Sequence, residues 1–191
     1  MLFVSMKPSP TLFSDYRRHL DAELLRLEKD PVFLAMLERM RLARRERRTV
    51  FLCGNGGSAA NANHFATDLL FGLEKNPGPI WRVVSLSANV SLLTCLGNDT
   101  GYENVFSKQL EATGQEGDLL LAYSGSGNSP NILRALQVAK GMGITTLAFL
   151  GFDGGKAKGL ADLCLHFPVD DMQIAEDLHM MASHLLLRSL A

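Results

Sequence analysis

Apolar residues recur at helical spacing from Thr11 to Leu27, with Leu12, Phe13, Tyr16, Leu20, Leu24 and Leu25 on one side, and this spacing predicts a helix. Lys29, Asp30 and Pro31 interrupt it. A second helix is predicted from about Pro31 to Arg45, with Phe33, Leu34, Met36, Leu37 and Met40 as its apolar side. The pattern then changes to short apolar runs that alternate with helical periodicity. Thr49 to Cys53 reads as a strand, followed by Gly54-Asn55-Gly56-Gly57-Ser58 and a helix to about Phe71. Ile80 to Leu86 is the next predicted strand. Asn89 to Leu96 and Tyr102 to Thr113 read as short helices around a Gly97-Asn98-Asp99 turn. Asp118 to Tyr123 is a central strand, ended by Ser124-Gly125-Ser126-Gly127-Asn128-Ser129 and a helix over Ile132 to Met142. Thr145 to Leu150 and Leu163 to Val169 are the last two strands, and Asp171 to Leu190 is a closing helix.

Strands alternating with helices imply βαβ units and a mostly parallel, five-stranded sheet in an α/β fold. Neither of the first two helices has a strand beside it, so residues 1–48 read as a loose arm to about Pro10 and a helical extension. Residues 49–191 read as the α/β domain. The helical pair is expected at an oligomer interface.

Composition narrows the field. With 47% hydrophobic and 20% charged residues, the chain can build a sizeable core. A net charge of −1 gives no overall pull toward nucleic acid or membrane. The basic run Arg41, Arg44, Arg45, Arg47 and Arg48 sits where it would complement a helix C-terminus. Cys53, Cys95 and Cys164 are widely spaced among apolar neighbours and read as buried, reduced thiols. The start is too short for a signal h-region and no apolar run nears membrane-spanning length, so a soluble cytoplasmic protein is expected.

The loop Ser124 to Ser129 is the strongest chemical signal. A strand, a tight turn of small hydroxyl residues and a helix start form a phosphate seat: glycine permits close approach, and the helix terminus offers free N–H groups. Ligands of parallel sheets lie beyond the carboxyl ends of the strands. Asn55 to Ser58, Asn98-Asp99, and Ser124 to Ser129 all fall there. Neither glycine-rich loop is a dinucleotide fingerprint and no Walker lysine follows the serines, which argues against a nucleotide cofactor. Amide and hydroxyl groups with little charge suit a phosphorylated polyol. His64 and Asp68 share one face of a helix at a spacing of four. Glu176, His179 and His184 lie on the last helix, where Glu176 and His184 can reach one pocket and Glu176 with His179 could form a ligand pair.

The strings Cys53-Gly-Asn-Gly-Gly-Ser58, His64-Phe-Ala66, Gly97-Asn-Asp99, Glu116-Gly-Asp118, Ser124-Gly-Ser-Gly-Asn-Ser129 and Asp153-Gly-Gly-Lys156 resemble the sugar-isomerase (SIS) domain. They resemble most its phosphoheptose isomerases, which convert sedoheptulose 7-phosphate to a heptose 7-phosphate. The resemblance implies a three-layer α/β sandwich, usually tetrameric, with sites between subunits. By position it implies that Asn55, Gly56, Gly57, Ser58, Asn98 and Asp99 hold the sugar. Ser124, Gly125, Ser126 and Ser129 would hold the phosphate. His64, Asp68, Glu176 and His184 would form the zinc and catalytic set. Two of these depart from the family: Asp68 stands where it has glutamate, and Glu176 where it has glutamine. Asp68 is the expected base, His184 the partner acid and Glu176 the alternative base. The same fold also serves as a non-catalytic scaffold that binds sugar phosphates or a replication initiator protein, and as an isomerase of other phosphosugars. The retained histidines and carboxylates favour an enzyme.

Overall fold

The computed structural model describes Ser9 and residues 11–72 and 78–190; most of the arm expected up to Pro10 lies outside the described residues. Five strands form one sheet: β1 (Thr49–Cys53), β2 (Arg82–Ser85), β3 (Leu119–Ser124), β4 (Thr145–Leu150) and β5 (Leu163–His166). Their order is β2-β1-β3-β4-β5, and every neighbouring pair is parallel. Each residue of β3 is buried, as expected of a strand covered on both faces.

Alternation along the strands feeds two apolar layers. Val50, Leu52, Leu121, Tyr123 and Phe149 face α2 (Pro31–Arg45), α3 (Gly57–Thr67) and α8 (Met172–Leu190). Phe51, Cys53, Leu120, Ala122 and Leu150 face α5 (Ser107–Thr113), α6 (Pro130–Gly141) and α7 (Ala157–Leu160). The fold is a three-layer α/β sandwich. Each fully buried leucine or phenylalanine contributes about 1.5–3 kcal/mol.

The N-terminal helices join the body. Met36 and Met40 of α2 are wholly buried in the same core as β1 and α8. Asp30 caps α2 by accepting from the Val32 N–H at 2.9 Å, worth about 1 kcal/mol. In α1 (Leu12–Leu27), the Tyr16 hydroxyl donates to Asp177 of α8 at 2.5 Å. The basic run also ties layers together: Arg41 donates to the Ser189 carbonyl, Arg48 to that of Glu116, and Arg44 stacks over Trp81.

Four local differences from the expected elements have physical causes. The helix after β1 changes at Asp68 into a π turn, Asp68–Gly72. Strand β2 starts at Arg82 because Gly78 and Pro79 precede an exposed Ile80. Strand β5 stops at His166, short of Pro168, which lacks an N–H. Finally, Gly97-Asn98-Asp99 is not a turn. Asn89 caps α4 (Val90–Thr100) by accepting from Leu92 N–H, and the helix runs through to Gly101, whose φ of +92° ends it. Of the three cysteines, Cys53 is buried as expected, Cys164 is half-buried and Cys95, on α4, is exposed.

Candidate active site

The strand order places the site. From β1 the sheet extends to β2 on one side and to β3 on the other, so the connections after β1 and β3 diverge to opposite faces. A crevice opens at that switch point, beyond the carboxyl ends. The loops leaving β1 and β3 line a cavity of about 240 Å³, together with α8. Asn55, Gly56, Gly57 and Ser58 come from the first loop, Ser124, Gly125, Ser126 and Ser129 from the second, and Met172 and Glu176 from α8.

The serine loop is held by its own hydrogen bonds. Ser124 Oγ accepts from the Gly127 N–H at 3.0 Å, and Ser126 Oγ from the Asn128 N–H at 3.3 Å. Both hydroxyl hydrogens therefore remain to be donated elsewhere. Pro130 opens α6 directly behind Ser129; in its first turn the Ile132 and Leu133 N–H groups donate to the Ser129 carbonyl, and the Asn131 N–H has no intrahelical partner. The turn Gly151 to Lys156 braces the loop from behind: the Gly151 N–H donates to the Gly125 carbonyl, Ala157 N–H to that of Gly127, and Lys156 N–H to Asn128 Oδ1. A methyl group on Gly127 would lie 2.1 Å from the Gly154 carbonyl oxygen, so only glycine fits there.

Two residues outside the sequence-based expectations join the loops. Asn131, 1% exposed at the start of α6, forms a reciprocal amide pair with Asn55: Asn55 Nδ2 donates to Asn131 Oδ1 at 2.9 Å, and Asn131 Nδ2 to Asn55 Oδ1 at 2.8 Å. The Tyr102 hydroxyl donates to the same Asn55 oxygen at 3.0 Å. Sequence held one hint of this, an asparagine directly after a helix-starting proline, but no local spacing connects it to Asn55.

A second constellation lies along α3 and α8. His64 Nε2 and His184 Nε2 are 3.1 Å apart, and Asp68 Oδ2 is 3.4 Å from the first and 3.6 Å from the second. Among the described residues these three form a group whose ligand atoms all lie within 4.8 Å of one another. The π turn begins at Asp68, a device common at functional sites. The Asp68 side chain is 23% exposed, whereas the imidazoles are about half exposed. Two imidazole nitrogens and a carboxylate oxygen converging on one point are a donor set that suits Zn²⁺.

Glu176 is not in this group. Its carboxylate lies over Gly57, where a Cβ would stand 2.2 Å from Oε2, and it lines the serine cavity instead. Asn61 of α3 holds this turn of α8 by donating to the Glu176 carbonyl at 2.8 Å. Asn98 and Asp99 sit in the last turn of α4 and do not line the cavity; Asn98 Nδ2 donates to Asp99 Oδ1. His179 forms no ligand pair with Glu176. It is fully buried between Tyr123, Phe149 and Phe167, and burial lowers its pKa to about 4 against a weaker opposing effect of the Leu150 carbonyl.

The chain matches the SIS domain over residues 15–151. A phosphoheptose isomerase of Helicobacter pylori strain HPAG1 is 44% identical over 137 residues, which cover 72% of this chain and 71% of that protein. One from Nitratiruptor is 38% identical over 179 residues, covering 88% and 94%. A solved phosphoheptose isomerase from Neisseria gonorrhoeae superposes with a TM-score of 0.85 at 31% identity, covering 94% of this chain and 95% of that one. Motif order, fold and overall likeness agree: the chain belongs to the SIS-domain family, among the phosphoheptose isomerases.

Proposed function

We propose that the chain interconverts sedoheptulose 7-phosphate and a heptose 7-phosphate by moving a proton between C1 and C2 through an enediolate. The observation that carries this reading is the placing of the His64–Asp68–His184 group two turns along α8 from a hydroxyl-lined cavity. Eight residues of helix separate Glu176 from His184, a rise of about 12 Å. An extended seven-carbon chain together with its phosphate ester, at ~1.5 Å per bond, spans roughly 10 Å from C1 to phosphorus. The phosphate then sits at Ser124, Ser126 and Ser129, and C1 and C2 reach the ionisable group. No lysine or arginine lines the cavity among the described residues, so neutral N–H and O–H donors bind the anion. Its binding energy orients the reacting carbons far from the serines.

At the other end, Asp68 takes the carbon-bound proton and His184 moves protons on the two oxygens. Glu176, facing the sugar from the cavity wall, is the alternative base. His64, Asp68 and His184 would hold Zn²⁺, with Glu176 able to join them only by swinging off Gly57. Such an ion would polarise the substrate carbonyl and stabilise the oxyanion.

The assembly belongs to the same proposal. Apolar side chains are exposed on two faces: Phe13, Leu25, Leu34 and Leu185 around the N-terminal helices, and Leu70, Phe71, Val84 and Val90 around β2 and α4. Two self-complementary faces build a tetramer. Asn98 and Asp99, exposed at the end of α4, reach a sugar across such an interface. No helix among the described residues is long and apolar enough to cross a membrane, and a cytoplasmic setting agrees with that and with three free thiols.

The test is exchange of the C1 and C2 protons with solvent deuterium across a panel of ketose phosphates, alongside the zinc content of the purified protein. Exchange with sedoheptulose 7-phosphate is expected. Tight binding of that sugar without any exchange would mean a scaffold and would end the isomerase reading.

A further inference from the structure

Asn55 and Asn131 are the same residue type, face to face, and each amide could in principle be turned either way. Their surroundings decide the matter. The Ile132 N–H, shared with the Ser129 carbonyl, points at one end of the Asn131 side chain at 3.0 Å. A backbone N–H can only donate, so that end of Asn131 must be the oxygen. The other end is therefore the amide nitrogen, and it donates to Asn55. This fixes the facing atom of Asn55 as oxygen, which the Tyr102 hydroxyl also engages. Both lone pairs of Asn55 Oδ1 are then occupied. One Nδ2 hydrogen of Asn55 goes to Asn131, and the second is all that the side chain has left.

We propose that Asn131 is a positioning residue: it relays the polarity of a helix-start N–H across the crevice, so that Asn55 presents a donor, never an acceptor, to the sugar. The proposal rests on the phosphosugar reading above. Its chemical consequence is that the group opposite Asn55 is an oxygen used as an acceptor. A hydroxyl there must direct its own hydrogen elsewhere. The pair also sets the spacing between the two loops, because Asn55 follows β1 and Asn131 follows β3. Asn131 is buried and lines no part of the cavity, so it acts only through Asn55.

The experiment measures two affinities side by side, for sedoheptulose 7-phosphate and for inorganic phosphate. The phosphate reports the serine loop alone. Asn131→Asp keeps size and still accepts from Ile132 and from Asn55 Nδ2, but it sets an oxygen against Asn55 Oδ1 and opens the pair. The expected result is a loss of tenfold or more in sugar-phosphate affinity, with phosphate affinity within twofold of wild type. Tyr102→Phe removes one contact from an exposed side chain that the fold does not need, and about a threefold loss on the sugar phosphate alone is expected. It carries the test if the buried variant does not fold. Parallel loss of both affinities would make Asn131 a merely structural residue, and no change in either would remove its role; each overturns the proposal. Failure of the underlying reading is seen elsewhere: wild-type protein that binds phosphate but not the ketose phosphate rejects the substrate assignment and, with it, the role given to Asn55.

Discussion

Lowering the pH should destabilise this protein through one buried imidazole. His179 is sealed among Tyr123, Phe149 and Phe167, and neither ring nitrogen has a side-chain hydrogen-bond partner among the described residues. Folding moves its pKa from 6.5 down to about 4 because burial penalises the charged ring. Above pH 6.5 the ring is neutral whether the chain is folded or not, and its full contribution to stability is present. Between 6.5 and 4 the unfolded chain takes up a proton that the folded chain refuses, so stability falls as the pH falls. Below about 4 the loss levels off. The gap, at roughly 1.4 kcal/mol per pH unit, is on the order of 3 kcal/mol, a large part of the ~5–15 kcal/mol that stabilises an ordinary domain. Urea unfolding at fixed protein concentration, from pH 8 to pH 4, measures it. His179→Leu, similar in volume and unable to titrate, supplies the reference. Every other ionisable side chain is common to both proteins, so the difference between the two curves belongs to His179. Curves that stay parallel from pH 7 to pH 4.5 would refute the reasoning.

Gly57→Ala places a methyl group against the end of the Glu176 side chain, which is flexible and can yield. Stability should change by less than about 1 kcal/mol, while kcat falls at least tenfold if Glu176 faces the substrate; unchanged kcat would remove Glu176 from the site. Asp68→Asn should lower turnover by about 10²–10⁴ and leave the affinity for the ketose phosphate within threefold, measured by calorimetry. Ser126→Asp puts a second negative charge beside the phosphate and should raise KM steeply with the fold intact by circular dichroism; an unchanged KM would move the phosphate elsewhere.

The five strands, their parallel arrangement and the place of the serine loop between β3 and α6 were legible because each rests on a local pattern: an apolar run of strand length, then glycine and hydroxyl residues, then helical periodicity. The pairing of His64 with His184 was half legible. Spacing put each on a plausible face, but only the packing of α3 on α8 brings their nitrogens to 3.1 Å. What failed depended on residues outside the short strings read. Gly97-Asn98-Asp99 looks like a turn, yet the Asn89 cap and a break available at Gly101 let the helix run on. His179 carries the same side chain as His184 five residues later on the same helix, and nothing in the local sequence says that one faces the core and the other the site. Asn131 escaped notice because its partner is 76 residues away.

The two ends of the site use different materials, and the sheet explains why. In the proposed mechanism neutral donors suit the phosphate, whose charge does not change during the reaction, and the loops at the strand ends would supply them without titrating. The groups to which the proposed mechanism gives proton transfer must change charge; they stand on α3 and α8, where helix packing fixes their geometry and solvent can reach them. That exposure conflicts with the chemistry, because an enediolate is best kept from water. His64 and His184 are about half exposed in the single chain. The residues that follow them are apolar and also exposed: Leu70 and Phe71 in the π turn after Asp68, and Leu185 beside His184. Burying those side chains against another copy would dry the ionisable end while leaving the phosphate end open for entry. On the proposed mechanism, self-association and catalysis would then be one requirement met by the same few residues.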